Sequence, residues 1–176
     1  MHEHQQGVDS DESGVRAELL RRELLREIER LNRFSHRGLV AFSLFLAISL
    51  LAWWGFPVFP APDTVIAVLG KPPSARIIGS VLLLYTFSAI ILSLSRMTTG
   101  IEHRSSFCHV GYLGAFFIFY YFGKSLEDNY WAVFGAGITI LGVESYRIRT
   151  FCAEGIAKLR EDLAYVTRTG RPPPQE

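Results

Sequence analysis

Residues 38–56 read GLVAFSLFLAISLLAWWGF and residues 77–95 read IIGSVLLLYTFSAIILSLS, and neither stretch carries an ionisable acid or base of the Asp, Glu, Lys or Arg type. Each is close to the roughly 20 apolar residues a helix needs to cross about 30 Å of hydrocarbon. A third apolar stretch, 107–123, carries His109 near its start, and a fourth runs from Tyr130 through YWAVFGAGITILGV to Glu144. A water-exposed helix shows a polar stripe with a period near 3.6 residues; the first two stretches show none. Ser43, Ser49, Ser80 and Ser88 are compatible with lipid because a serine hydroxyl bonds to a carbonyl one turn back. The pattern therefore predicts an all-α membrane protein, a four-transmembrane-helix up-and-down bundle with spans at about 38–56, 77–95, 107–123 and 130–146.

Outside this block the pattern changes to amphipathic. Leu20, Leu24, Ile28 and Leu31 make one apolar stripe, and Ile156, Leu159, Leu163 and Val166 make another. Helices are expected over 13–37, with Ser13 as N-cap, and over 147–168. Glu12–Arg16, Glu18–Arg22 and Glu29–Arg33 have the i,i+4 spacing of helix-stabilising ion pairs. Antiparallel pairing of the two stripes is the simplest way to bury them; lying on the lipid surface or docking onto another subunit are the alternatives. The segments 1–12 and 169–176 are expected to be disordered tails.

Charge then fixes the orientation. Of 18 basic residues, all except Lys71, Arg76 and Lys124 fall on one side of the four-span arrangement, and basic residues mark the cytoplasmic side. Both termini are expected there, in the cytoplasmic membrane of a cell. Trp53, Trp54, Tyr130 and Trp131 belong to the opposite interface. The first 37 residues are too charged for a cleavable signal peptide. Between spans one and two, the loop from Pro57 to Arg76 holds TVIAVLG between prolines. A short helix capped by Asp63 and stopped by Gly70 is expected there, on the outer leaflet or over the mouth of the bundle. The connection KSLEDN makes spans three and four an antiparallel hairpin.

Chemistry-bearing groups are few. Cys108 and Cys152 have no Cys-x-x-Cys spacing, and no disulfide is expected on the cytoplasmic side. His109 and His36 do not make a transmembrane haem pair, His2 and His4 sit in a tail, and no zinc, phosphate-loop or nucleophile-elbow motif occurs. No metal site and no nucleic-acid binding are expected. On the fourth helix, Ala132, Gly135, Ala136, Thr139, Gly142 and Val143 share one face, which reads as a close helix–helix seam, with a cofactor lying against it as the minor alternative. Towards the inner leaflet gather His36, Arg37, Arg96, His109 and Glu144. A carboxylate at the end of a short span is costly and often functional, although Arg147 stands at i+3 and both could reach the head groups. His109 and Glu144, on neighbouring helices, could take protons from a quinol among Tyr112, Phe116 and Phe117; ordinary lipid-facing packing explains the same aromatics. The spans lack the charges and breaks of a transporter.

Five stretches carry a family likeness: SHRG at 35–38, LGKPPSA at 69–75, HVGYL at 109–113, DNYWAVF at 128–134 and GVESYRI at 142–148. Through them residues 35–159 resemble small four-span bacterial membrane proteins labelled menaquinol oxidoreductase. The resemblance implies a bacterial inner membrane, menaquinone as the candidate cofactor with nothing bound covalently, and electron transport beside redox-complex subunits, with catalysis by the chain alone not expected. The quinol-binding candidates are His109, Glu144, Arg96 and Tyr112. The competing expectation is a non-catalytic membrane scaffold that recruits a partner, or a second copy of the chain, through its cytoplasmic helices.

Overall fold

The computed structural model describes the backbone of residues 3–97 and 106–174 and, within these, the side chains of 15–68, 70–95 and 106–174. The described residues are all-α: α1 Glu3–Trp53, α2 Pro62–Leu69, α3 Ala75–Met97, α4 Ser106–Phe122 and α5 Leu126–Thr169. The amphipathic and apolar segments at each end are not separate elements. α1 runs unbroken from the charged stretch into the first apolar stretch, and α5 runs from the fourth into the C-terminal stripe, because no proline or other helix breaker separates them. α1 begins at Glu3, ahead of the expected cap at Ser13. α5 ends at Thr169, where Gly170 takes φ 65° and its N–H donates to Val166 O at 2.9 Å, a left-handed helix stop suited to glycine.

Among the described residues two helices, rather than four, are by themselves long and apolar enough to cross a membrane: α1 within 15–53, and α3 over 75–95. α4 is apolar but has only 17 residues, and the apolar part of α5 stops at Glu144.

The chain divides into two compact units, one of 1–36 with 149–176 and one of 37–148. In the first, Leu31, Cys152 and Val166 are buried, and the expected stripe residues are the less exposed face of each helix. Leu31 Cδ1 lies 3.0 Å from where a Cβ on Gly155 would sit, so the α1 and α5 stripes meet there. The pairs Glu18–Arg22 at 3.4 Å and Glu29–Arg33 at 3.6 Å form on the outer face, each exposed pair contributing only about 0.3–0.5 kcal/mol. Glu12–Arg16 lies outside the described side chains.

In the second unit each long helix buries one stripe: Ala41, Phe45, Ser49 and Ala52 of α1; Ile78, Leu82, Ala89 and Ser93 of α3; Tyr130, Val133, Ile140, Leu141 and Glu144 of α5. Phe45 is fully enclosed, with ring centroids 6.2 Å from Phe117 and 6.3 Å from Phe134. Gly137 makes room for it: a Cβ there would lie 2.0 Å from Phe45 Cζ. Nearby, the Tyr130 hydroxyl donates to Ser49 O at 3.1 Å. The remaining faces are as apolar as the core. Leu83, Leu84 and Phe87 are 74%, 68% and 66% exposed, an arrangement that would be unfavourable against water.

The small-residue face of α5 is not the seam. Ala132, Gly135 and Thr139 are exposed, and nothing lies within 4 Å of a Cβ placed at Gly135 or Gly142. α5 instead packs through the adjacent face of Val133, Gly137, Ile140 and Leu141. In the loop before α3, the expected short helix is present as α2, but Ala61 is its N-cap residue and Asp63 caps nothing. The Asp63 carboxylate accepts from Lys124 Nζ at 2.6 Å, tying α2 to the turn between α4 and α5. Gly70 (φ 87°) ends α2 as expected. After α1, Gly55 (φ 72°) and Phe56 (φ 49°) turn the chain back. A left-handed bulky residue costs about 1–2 kcal/mol; Phe56 offsets this by burial and by stacking 4.9 Å from Phe59.

Candidate functional site

On α3 the buried register runs Ile78, Leu82, Tyr85, Ala89 and Ser93, steps of four, three, four and four that keep one helical face. Two members of this face are polar, and each holds a polar group from another helix. The Tyr85 hydroxyl lies 2.6 Å from Nδ1 of His109 on α4. With the Nε2–H tautomer, the phenol donates and the imidazole accepts, which fixes the ring's orientation. Around this pair are the rings of Tyr112 at 5.6 Å and Phe116 at 5.9 Å from Tyr85. Tyr112 and Phe116 also line a cleft of about 200 Å³ between α3 and α4, whose other walls include Ile77, Val81 and Phe119. A flat, largely apolar ring fits such a place, with apolar walls for its faces and the phenol–imidazole pair packed against two of those walls, Tyr112 and Phe116.

Ser93, two turns further along α3, donates its hydroxyl to Glu144 Oε2 at 3.0 Å. Arg147 Nη2 donates to Glu144 Oε1 at 3.3 Å. The expected i,i+3 pair therefore forms, but it does not reach outward: Glu144 is 1% and Arg147 7% exposed. Arg147 Nε has no hydrogen-bond partner among the described residues. The Ser93 hydroxyl thus pins α5 to α3 through one member of a buried charge pair that lies within α5.

The sequence candidates thus separate into two places. His109 and Tyr112 join Tyr85 at the cleft, while Glu144 meets α3 at Ser93, eight residues and about 12 Å of helix rise from Tyr85. Phe117, expected near a quinol with Phe116, is instead fully buried in the core between Phe45 and Tyr130. The Arg96 side chain lies outside the described residues. Tyr85 and Ser93 were missed from the sequence. Their signal was present, since a polar residue at core register in an otherwise apolar helix needs a partner. Among the described residues, no group of three His, Cys, Asp or Glu side chains is placed to hold a metal ion.

Among the described residues these features define an all-α protein with two helices long and apolar enough to cross a membrane, and a small aromatic cleft whose walls Tyr112 and Phe116 pack against a tyrosine–histidine pair. Set against protein-family models, curated proteins and solved structures, the chain matches none.

Proposed function

We propose that this chain is a four-span protein of a bacterial inner membrane, with both termini cytoplasmic, and that it acts as the membrane subunit of a menaquinol-linked electron-transfer complex. The supporting observation is the Tyr85–His109 hydrogen bond packed against Tyr112 and Phe116, two of the residues that line the α3–α4 cleft. With Nδ1 accepting from the Tyr85 hydroxyl, His109 offers its Nε2–H to an oxygen of the quinol, and Tyr112 and Phe116 flank the ring. The four crossings rest on the exposed apolar faces of α3 and α4, the basic-residue asymmetry, and the turn of Gly123, Lys124 and Ser125 that reverses the chain between α4 and α5. A hairpin satisfies its backbone internally, so two short apolar helices can enter together. Menaquinone is the cofactor of this reading and redox subunits are the partners; Glu144, held at Ser93 two turns of α3 from Tyr85, is a structural acid apart from the cleft.

A quinol analogue titrated into the full chain in lipid nanodiscs tests this. His109→Leu is expected to weaken binding about tenfold, the worth of one buried hydrogen bond, and Tyr85→Phe by less. Leu84→Ala, on the exposed face of α3, is expected to leave binding unchanged. Equal binding in all three variants and the unaltered chain would remove the quinol site.

A second reading, a scaffold, is favoured by Val15, Leu19 and Leu25, apolar and 60%, 56% and 46% exposed on α1. It expects deletion of 1–33 to release a co-purifying partner while the chain stays in the membrane.

A further inference from the structure

A second cavity, of about 400 Å³, lies between α1 and α4 and has no part in the quinol reading. Its walls are Ile48 and Leu51 of α1 and Gly111, Gly114 and Ile118 of α4, and every side chain that lines it is apolar. The space exists because α4 presents glycines: a Cβ at Gly111 would meet nothing within 4 Å, and at Gly114 only Ile48, at 3.9 Å. One end is closed. The left-handed turn at Gly55 and Phe56 folds Pro57, Val58 and Phe59 back over the groove, and that roof is locked by the Phe56 ring against Phe59 and, at 5.6 Å, Tyr121. The Tyr121 hydroxyl also donates to Pro60 O at 3.4 Å. A bulky residue held at positive φ to form one wall of a cavity is the kind of strain that persists where the surroundings impose it.

We propose that this cavity holds the end of a long hydrocarbon chain, acyl or isoprenoid, whose head group remains outside. The inference rests on the membrane reading above, but not on the quinol site. The lining excludes the other occupants. Water requires two or more polar partners and finds none on these side chains, and a polar ligand would lose its hydrogen bonds without replacement. A partner helix, about 10 Å across with its side chains, does not enter a pocket roofed at one end, whereas a slender chain does. Because bulk lipid is as apolar as the lining, selectivity comes from the close contact of chain and wall, and the expected signature is enrichment over the open faces.

The test uses the full chain in phosphatidylglycerol vesicles doped with phosphatidylglycerol carrying a diazirine at the end of one acyl chain, or with a polyprenol carrying the same group. After irradiation, labelled residues are read by peptide mass spectrometry. Leu51 and Ile118 are expected to be labelled roughly threefold or more above Leu83 and Leu84 on the open face of α3. Gly111→Leu fills the groove from its open side and is expected to abolish that excess while leaving Leu83 and Leu84 at their original level, which also shows that the variant is folded and inserted. Gly111→Ala, which adds one methyl into open space, is expected to reduce the excess only partly. Excess from the phospholipid probe alone assigns an acyl tail; from the polyprenol alone, an isoprenoid. Equal labelling at all four positions, or an excess that survives Gly111→Leu, overturns the proposal. Absence of label at Leu83 and Leu84 as well would remove the membrane reading itself, a result distinct from failure of the cavity alone.

Discussion

Replacing Glu144 by leucine while Arg147 remains is expected to destabilise the protein by about 3–5 kcal/mol, the usual cost of stranding one member of a buried ion pair. Glu144 is almost completely enclosed, its Oε1 accepting from Arg147 and its Oε2 from Ser93. Without the carboxylate, Arg147 keeps a charge that cannot be neutralised by losing a proton, in surroundings where its Nε is already without a partner among the described residues. The reverse change, Arg147→Leu, is expected to cost less, because the carboxyl group can take up a proton and keep Ser93 as a partner. The double variant Glu144→Leu/Arg147→Leu is expected to recover much of the loss, since buried pairs replaced together by apolar residues are often neutral. Thermal unfolding of the four proteins in one detergent measures the coupling. Additive losses in the double variant would show that the two groups are not a unit.

The second large effect is a reversal of sign. Glycine to alanine within a helix ordinarily stabilises by about 0.8–1 kcal/mol. At Gly137 the same change is expected to destabilise by about 1–3 kcal/mol, the range for overpacking. The new methyl would meet Phe45 Cζ at 2.0 Å and both Cε atoms within 2.6 Å, and the ring is held by Phe117 and Phe134. Phe45→Leu in the same chain is expected to relieve most of this. At Gly135 and Gly142, where a Cβ meets nothing within 4 Å, alanine is expected to stabilise or leave stability unchanged. The same thermal measurement decides all three. Destabilisation at Gly135 and Gly142 with tolerance at Gly137 would mean that α5 packs through its other face.

That contrast shows where the sequence was legible. In the charged ends, apolar residues recur among polar ones at helical spacing; the stripes through Leu31 and Val166 could be read directly, and the structure places them on the less exposed faces. In 37–148 that signal disappears, because exposed and buried sides of α3 and α5 are equally apolar. Two faces of α5 had helical spacing, and small residues alone pointed to the wrong one. What decided the packing was one large ring, Phe45, seeking one glycine. The same blindness hid Tyr85 and Ser93: in an uncharged stretch with no polar stripe nothing marks the buried face, although its register carried two polar groups. His109 and Glu144 were recognisable as rare ionisable residues in apolar surroundings, but their partners depended on helix rotation, which spacing does not supply. The boundaries of α2 were legible from Pro62 and Gly70, whereas Asp63 found a distant lysine instead of its own helix end.

The central claim is that residues 37–148 cross a bilayer four times with both ends cytoplasmic. Single cysteines at Ala17, Ala61, Glu127 and Arg168, in a chain with Cys108→Ser and Cys152→Ala, can be offered a membrane-impermeant maleimide from either side of sealed right-side-out vesicles. Positions 61 and 127 are expected to react from outside, and positions 17 and 168 only after the vesicles are opened. Labelling of 127 from the cytoplasmic side together with 17 and 168 would contradict the account, leaving α1 and α3 as the only crossings.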